Sequence, residues 1–358
     1  MKNPNIHIIA PYPIGRAPSQ RFRFEQYIDF LKQHQYQVHF HAFHSEKGWE
    51  LIYKEGAFIQ KSFYLASCFL KRLVLCFRLI NAQHIFIHRE MSHLGPPIFE
   101  WILVKILRKK YIFDFDDAIW LPNYSEVNQK YNRLKCYWKT KYLIKWADKI
   151  VAGNEFLADY ARQFNNNVQI IPTTIDTENH HHLTVSHTTE KVVIGWTGTH
   201  TTMYYLTPLF PIIQELEKTH DFEFHVISNE KPSHQLASLV YKKWNKSTEI
   251  ADLAQIHIGV MPLTQSDWAA GKCGFKALQY MSLGAVAVVS PVGVNSKIIQ
   301  HEKNGFIVSN ADEWKKTLIR LIENRIERKH IGANAQKSIV EEWSVQKWTA
   351  SYIELFKK

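Results

Sequence analysis

Residues 271–295 read GKCGFKALQYMSLGAVAVVSPVGVN and place a helix, a glycine turn and a strand in immediate succession. The helical segment starts near Phe275, and Gly284 separates it from the apolar run AVAVVS at 285–290. An uninterrupted apolar strand that directly follows a helix is typical of a parallel sheet whose two faces are both covered. This stretch therefore predicts an α/β fold.

The same alternation of short apolar runs and amphipathic segments continues through most of the 358 residues. It predicts two Rossmann-like, doubly wound parallel-sheet domains that face a central cleft at the carboxyl ends of their strands. Strands are expected at 5–10, 37–43, 84–89, 111–116, 149–153, 168–172, 191–196, 222–228, 256–263, 285–290 and 305–309. Helices are expected at 20–34, 62–80, 96–109, 126–147 and 155–164, and from Thr202 and Phe275 onward.

A polar segment without periodicity, residues 173–190, separates the two sets of strands. We interpret it as an interdomain linker between an N-terminal domain, 1–172, and a C-terminal domain, 191–340. The last residues, 341–358, are expected to form a helix that packs across the two domains. The three consecutive histidines His180–His182 fit a flexible linker better than a metal site, because no Cys, Asp or Glu at ligand spacing accompanies them.

The formal charge of +11 and the isoelectric point near 9.3 indicate an anionic partner, although a basic protein with no special partner is the alternative. No sequence pattern of a nucleic-acid-binding module is present, so we expect no nucleic acid partner. Four scattered cysteines and the lack of a long apolar signal sequence favour the reducing cytoplasm. The apolar segment 62–80 is interrupted by Lys71, Arg72 and Arg78, which argues against a transmembrane span.

The start of the predicted helix at Phe275 has the features of an anion-binding site. Gly271 and Gly274 allow the backbone to approach a ligand closely, and a helix start offers N–H groups and a positive dipole end. Lys272 and Lys276 are four residues apart and can converge on one anion. A diphosphate is the natural occupant, and two lysines on a solvated helix start are the alternative.

This stretch resembles the donor-binding signature of retaining GT-B glycosyltransferases of family 4, the glycosyl transferases group 1. The signature has one Glu, a second Glu eight positions later, and then x-M-x-x-G before an apolar strand. Met281 and Gly284 are in register, whereas both acids are replaced, by Gly271 and Gln279. Lys276 matches the lysine of a subset of the family that reads K-x-x-E-Y-M-A-x-G.

The resemblance covers nearly the whole chain, since PYPIGRAPSQRFRFEQY (11–27), VVIGWTGTHTT (192–202) and EIADLAQIHIGVMPL (249–263) also look like family segments. It implies a metal-free donor site in which two glycine loops and the lysines hold the diphosphate, while Gln279 replaces the acid that contacts the ribose. The expected donor-binding residues are Gly15, Arg16, Gly198, Thr199, Lys272, Gly274, Phe275, Lys276 and Gln279. No cofactor and no metal site are expected.

The acidic run in YIFDFDDAIW, residues 111–120, admits three interpretations. Asp116 or Asp117 can orient an acceptor hydroxyl or take its proton, can cap the following turn, or can bind a metal ion. By strand alternation, Asp114 and Asp116 are expected on one face. His88, at the end of the preceding predicted strand, is a further candidate, so the expected catalytic residues are Asp116, Asp117 and His88.

The resemblance implies transfer of a sugar, with retention, from a nucleotide-diphosphate sugar to an acceptor hydroxyl of a growing cell-surface glycan or lipid-linked saccharide. Alternatives are a catalytically silent binding homologue, an epimerase-like nucleotide-sugar enzyme, and a metal-dependent GT-A transferase. The basic, partly apolar segments 99–111 and 130–149 predict either solvated outer faces or a peripheral contact with an anionic membrane.

Overall fold

The computed structural model describes residues 3–122, 132–189 and 191–357. The chain divides into two compact units, one of Met1–Pro172 with Thr349–Lys358 and the other of Thr173–Trp348. Each unit contains a six-stranded sheet in which every described strand pair is parallel. The prediction of two α/β, Rossmann-like units with parallel sheets is thus confirmed.

The sheet of the first unit has the strand order β2-β1-β3-β4-β5-β6. Its strands are β1 Asn5–Ala10, β2 Gln37–Ala42, β3 His84–His88, β4 Ile112–Phe115, β5 Lys149–Ala152 and β6 Val168–Ile170. The described helices are α1 Pro18–Arg21, α2 Ile28–Gln33, α3 Glu46–Tyr53, α4 Phe58–Arg78, α5 Ile98–Trp101, α6 Asn132–Lys135, α7 Thr140–Trp146 and α8 Glu155–Arg162. The order of the strands reverses at β1 and β3, and such a reversal leaves a crevice at the carboxyl ends of the strands.

The sheet of the second unit has the order β12-β11-β10-β7-β8-β9, which reverses between β7 and β10. Its strands are β7 Val192–Gly198, β8 Phe222–Ser228, β9 Leu239–Lys243, β10 Ile258–Met261, β11 Val286–Val289 and β12 Phe306–Ile307. The described helices are α9 Phe210–Leu216, α10 Glu249–Leu253, α11 Asp267–Ala270, α12 Phe275–Ser282, α13 Asn295–Ile298, α14 Ala311–Glu323, α15 Arg325–Ser338 and α16 Val345–Glu354. All four residues of β11 are fully buried, as the continuous apolar run predicts.

Some boundaries differ from those expected. The helix predicted at 96–109 is the short α5 followed by a π-helical turn, Ile102–Ile106. The helix predicted at 126–147 lies partly outside the described residues, and its remainder is α6, a 3₁₀ turn at Tyr137–Lys139, and α7. Strand β9 was not predicted, because the apolar run of this edge strand is only three residues long and is followed by two lysines. No helix in the described ranges is both long and apolar enough to cross a membrane.

Residues 173–189 pack within the second unit. The N–H of Val185 donates to the carbonyl of Leu283 at 2.7 Å, and that of Ile175 to the carbonyl of Trp343 at 3.0 Å. Both side chains are buried, and so is that of His181. Treating the whole segment as a flexible linker missed these contacts, since the buried residues stand singly among polar ones.

Helix α16 starts in the second unit and ends in the first, to which residues 349–358 belong. Within the first unit, the ring of Tyr352 stacks on that of Tyr27 with centroids 4.1 Å apart. The hydroxyl of Tyr36 donates to the carbonyl of Phe356 at 3.3 Å. The end of the chain therefore contributes aromatic rings to the core of the first unit.

Buried His257 makes the stability of the second unit depend on pH. Its Nδ1 accepts the N–H of Val193 at 3.0 Å, and its Nε2 lies 3.1 Å from the carbonyl of Ser186, so the ring is held neutral. Burial, with a smaller contribution from His187, lowers the pKa of His257 from 6.5 to about 4. The stability that neutral His257 contributes is present above pH 6.5 and is lost as the pH falls toward 4.

We expect the melting temperature to fall as the pH is lowered from 6.5 to 4. His257→Asn keeps an acceptor for Val193 but cannot gain a proton, so this variant should melt lower at neutral pH and lose less stability on acidification. Melting curves of both proteins across this range check the prediction. If the melting temperature of the two proteins falls equally steeply with pH, the acid sensitivity belongs to other groups.

Candidate functional site

In the second unit, helix α12 is fixed to the end of strand β7. The hydroxyl of Tyr280 accepts the N–H of Thr197 at 3.0 Å. Tyr280 fits there because strand β10 has glycine at position 259, where a Cβ would lie 2.2 Å from the tyrosine ring. The packing brings the start of α12 and the loop after β7 to the reversal point of this sheet.

Gly274 forms the N-terminal cap of α12. Its φ of +68° is a conformation that favours glycine, and a Cβ there would lie 2.2 Å from Cδ1 of Ile298. The carbonyl of Gly274 accepts the N–H of Leu278 at 3.1 Å, so the helix begins at Phe275, as predicted. The positive end of the dipole of this eight-residue helix therefore lies at Phe275 and Lys276.

The lysines at this helix start lie over aromatic rings. Nζ of Lys276 is 5.4 Å from the ring centroid of Trp196, and Nζ of Lys272 is 4.7 Å from that of Trp268. Trp196 also lies against Gly198, where a Cβ would be 2.4 Å from the indole. The structure thus brings Gly198 and Lys276, which are distant in sequence, to the same buried ring.

The loop after β7 is held by side-chain hydrogen bonds. Oγ1 of Thr199 is 2.7 Å from Oγ1 of Thr201, and the hydroxyl of Thr202 donates to the carbonyl of Thr199 at 3.0 Å. The N–H of His200 donates to Oδ1 of Asn229, at the end of β8, at 2.8 Å. These bonds connect the ends of two neighbouring strands and position Gly198 and Thr199 beside Trp196.

Gln279 is buried one turn after Lys276. The side-chain Nε2 of Gln279 lies 3.4 Å from Nε2 of His181. The backbone carbonyl of Gln279 accepts a hydrogen bond from the hydroxyl of Ser282 at 2.8 Å. The amide is thus directed at the segment that precedes β7. His181 was not identified as its neighbour, since the two residues are 98 positions apart.

In the first unit, the register of β3 and β4 places His88 beside Asp114. Nδ1 of His88 is 2.6 Å from one oxygen of Asp114, and Arg23 forms an ion pair with the other. All three side chains are buried. Burial raises the pKa of Asp114, but Arg23 and His88 outweigh it, so that the pKa lies below its usual value. Asp114 is therefore part of the buried framework.

Asp116 and Asp117 follow β4 and are partly exposed. The guanidinium of Arg89 contacts Oδ1 of Asp116 through Nε at 2.8 Å and Nη2 at 2.7 Å, and it lies 3.8 Å from Asp117. Arg89 has a φ of +61°, an uncommon conformation for a residue with a side chain. Asp116 thus lies in the loop beyond the strand, where the guanidinium of Arg89 holds its carboxylate.

Nε2 of His88 has no hydrogen-bond partner among the described residues and is 4.0 Å from Oδ1 of Asp116. With Nδ1 bonded to Asp114, Nε2 is the ring nitrogen that faces Asp116. Because the ring is fully buried, His88 can reach a ligand only through a neighbour. Asp116 and Asp117 are the groups here that are open to an acceptor.

Aromatic rings surround the carboxyl ends of β1, β2 and β3. Tyr12 meets Trp49 edge-on, with centroids 4.8 Å apart, and His93 lies 5.8 Å from Tyr12. His44 lies 5.9 Å from both Trp49 and His93. Sequence reasoning missed this group, because its members follow three different strands and are distant in sequence.

Gly15 and Arg16 follow β1. The N–H of Gly15, which has a φ of +78°, donates to Oε2 of Glu25 at 2.8 Å. Arg16 forms a partly exposed, hydrogen-bonded ion pair with Glu46 at 2.6 Å. The hydrogen bond to Glu46 raises the pKa of Arg16. The side chain of Arg16 is therefore directed at α3, an acidic partner that the loop sequence did not reveal.

Among the residues that the structure describes, no three or more His, Cys, Asp and Glu side chains are grouped to hold a metal ion. His180 and His181 are adjacent, with Nδ1 atoms 3.0 Å apart, but they form no such group.

Comparisons with known proteins give a family match for part of the chain and a structural likeness for all of it. Residues 191–324 match the model of the family described as glycosyl transferases group 1. No curated protein matches the sequence.

Several solved structures have the same fold. Sucrose-phosphate synthase (tll1590) from Thermosynechococcus elongatus has a TM-score of 0.74 at 11% identity, covering 99% of this chain and 98% of that one. Anabaena Alr3699/HepE in complex with UDP-glucose has a TM-score of 0.67 at 11% identity, and the match covers 98% of each chain. The catalytic domain of Starch Synthase IV from Arabidopsis thaliana, bound to ADP and acarbose, has a TM-score of 0.66 at 12% identity, and the match covers 99% of each chain. The fold is GT-B.

Proposed function

We propose that this chain, which has the GT-B fold and whose residues 191–324 match the glycosyl transferases group 1, is a glycosyltransferase. Its reaction is the transfer of a sugar, of hexosyl type, from a nucleotide-diphosphate sugar to an acceptor hydroxyl. The observation that carries the proposal is the junction of β7 and α12, where Gly198 and Lys276 meet at the ring of Trp196 and Gly274 caps the start of the helix.

This junction suits a leaving diphosphate. As the bond to the sugar breaks, negative charge grows on the phosphate oxygens, and fixed donors stabilise that charge without reorganising. We assign the role to the backbone around Gly198 and Thr199, the start of α12 at Phe275, and the ammonium groups of Lys272 and Lys276. These groups make a metal ion unnecessary for charge neutralisation.

The ligands of the structural neighbours support a nucleotide-sugar donor. HepE is in complex with UDP-glucose and Starch Synthase IV with ADP, so donors of this class bind proteins of the same fold. We propose that the configuration is retained, and the resemblance of 271–284 to the family 4 signature supports this. By the same resemblance we propose Gly15 and Arg16, which follow β1, as further donor-binding residues.

On the acceptor side we propose that Asp116 orients the attacking hydroxyl. Arg89 fixes its carboxylate, and His88 lies behind it as an acceptor for a proton. Asp117, farther from the guanidinium, is the second candidate for the same task. The rings of Tyr12, Trp49 and His93 suit an acceptor that is itself a carbohydrate, since sugar C–H faces pack on aromatic rings.

The acceptor we propose is a growing cell-surface polysaccharide or a glycolipid, reached from the cytoplasm at the periphery of a membrane. The net charge of +11 supports an anionic surface as a partner.

A second candidate function is a catalytically silent nucleotide-sugar- or glycan-binding protein of the same fold. It is favoured by the replacement of both signature acids, by Gly271 and by Gln279, whose amide is buried against His181. An epimerase-like enzyme is a further alternative, in which the donor is converted without any acceptor.

A melting experiment with UDP, GDP, ADP, dTDP and CMP, each with and without EDTA, tests the donor site. A ligand that binds only the folded protein must raise the melting temperature. We expect one nucleoside diphosphate to stabilise the protein equally in both conditions. No shift with any nucleotide, or a shift that EDTA abolishes, would refute the metal-free site and return Asp116 and Asp117 to consideration as metal ligands.

A further inference from the structure

Helix α4, Phe58–Arg78, is apolar on two opposite sides. Its inner side buries Cys68, Leu75 and Cys76 in the first unit. Its outer side exposes a row of large apolar side chains, namely Ile59, Phe63, Leu70, Leu73, Val74 and Phe77. A helix on the surface of a globular protein normally has polar residues on its outer side, so this outer face requires an explanation.

The exposed row is continuous along the helix. Ile59, Phe63, Ala66, Leu70, Leu73 and Phe77 are spaced three or four residues apart, which places them on one face, and Val74 adjoins Leu73 on its edge. From Ile59 to Phe77 the row is about 27 Å long at the rise of an α-helix. Phe63 is 74% exposed, Leu70 62% and Phe77 55%. Exposed apolar surface of this extent marks an interaction site.

The charges on α4 are all positive. The helix contains no Asp or Glu, and it contains Lys61, Lys71, Arg72 and Arg78. Arg72 is buried, whereas Lys71 and Arg78 are exposed. These two are seven residues apart, two helical turns, so both lie along the same flank of the apolar row.

A second exposed apolar group adjoins α4. Phe69 of α4 meets Phe99 of α5 with ring centroids 5.8 Å apart, and Nζ of Lys109 donates to the carbonyl of Ile80 at 2.7 Å. The segment 98–108, which begins with α5, exposes Ile98, Trp101 and Ile106, together with Lys105 and Arg108. Its acid, Glu100, is buried. Tryptophan and basic residues beside an apolar surface are typical of the region where a bilayer meets water.

We propose that this surface, the outer face of α4 with the exposed residues of 98–108, binds the surface of an anionic lipid bilayer. Apolar side chains enter the boundary between headgroups and acyl chains, while Lys71, Arg78, Lys105 and Arg108 contact anionic headgroups. A second copy of the chain would bring the same positive charges to the contact, so charge complementarity favours lipid. The inference rests on the proposed function only in naming a membrane-borne acceptor as the reason for the contact.

Sedimentation with vesicles tests this proposal. Vesicles of phosphatidylcholine alone are compared with vesicles of phosphatidylcholine and phosphatidylglycerol in equal parts. One variant, Phe63→Gln/Leu70→Gln/Phe77→Gln, removes the apolar row, and a second, Lys71→Gln/Arg78→Gln, removes the flanking charges. Ile326→Gln is the matched control, since Ile326 is 84% exposed but lies in the second unit.

We expect the wild type and the control to bind the anionic vesicles and not the neutral ones. The triple variant should lose at least tenfold in partitioning, on the order expected for loss of buried apolar groups. The charge variant should lose about fivefold per residue, and high salt should have the same effect. Because the substituted residues are exposed, the melting temperatures of all the variants should match that of the wild type.

Three results would overturn the proposal: equal binding of the wild type to both kinds of vesicle, no binding to either, or wild-type binding by the triple variant. A dimer that light scattering detects in the wild type and not in the triple variant would assign the face to a second copy instead. Nucleotide-induced stabilisation is measured on the same proteins. Its absence in the wild type would count against the proposed function and not against the lipid surface.

Discussion

Lys276→Ala is expected to lower kcat for sugar transfer about a hundredfold or more. The ammonium group of Lys276 is held over Trp196, at the start of α12 and beside Gly198. Removing one preorganised donor from a site where charge develops typically costs that much in rate. The folded structure should be little affected, since the lysine is an N-terminal residue of its helix. Initial rates of nucleoside diphosphate release at saturating donor measure the effect.

Lys303→Ala is the matched control for this substitution. Lys303 is an exposed lysine of the same unit, but it precedes β12 and thus lies at the amino-end edge of the sheet. A general effect of net charge would lower the rate of both variants equally. Activity of Lys276→Ala at the level of the control would show that this lysine has no part in donor chemistry.

Asp116→Asn is expected to lower kcat about a hundredfold while leaving nucleotide binding intact. The change keeps the size of the side chain but removes the charge that Arg89 contacts with two nitrogens. Loss of a group that orients or deprotonates the attacking hydroxyl costs roughly a hundredfold to ten-thousandfold. The rate of transfer and the nucleotide-dependent melting shift are measured on the same preparation.

The control for this variant is Asp159→Asn, on α8 of the same unit, where the carboxylate pairs with Arg162 in solvent at 2.7 Å. Such exposed pairs contribute little to stability. If Asp116 is only a structural cap, its variant will melt lower but will turn over normally below the melting temperature. That outcome would remove Asp116 from the mechanism.

The strands were predictable from the sequence wherever burial on both faces requires a continuous apolar run. All four residues of the apolar strand β11 are buried, and β8, whose run is interrupted by Glu223 and His225, still has the predicted bounds Phe222–Ser228. Strand β9 was not predictable, because an edge strand pairs on one side only and tolerates Lys242 and Lys243. The start of α12 was predictable from local signals, namely Gly274 and the helical pattern after it.

The pairings within the candidate site were not predictable, because they join distant positions. Arg23 and Asp114 are 91 residues apart, and strand alternation alone placed Asp114 with Asp116. The buried ion pair distinguishes the two aspartates. Removing one partner of such a pair typically costs about 3–5 kcal/mol. Similarly, Gln279 faces His181, which the sequence suggested only as part of a linker.

We propose that a nucleotide-diphosphate sugar donates its sugar at the β7–α12 junction without a metal ion. The most direct test is to incubate the protein with the nucleotide-sugar of the base found by melting, with a membrane extract as acceptor, with and without EDTA. We expect release of nucleoside diphosphate and incorporation of sugar at equal rates with and without EDTA, with both lost in Lys276→Ala and kept in Lys303→Ala. Binding without release, conversion of the donor without an acceptor, or release that EDTA abolishes would contradict it.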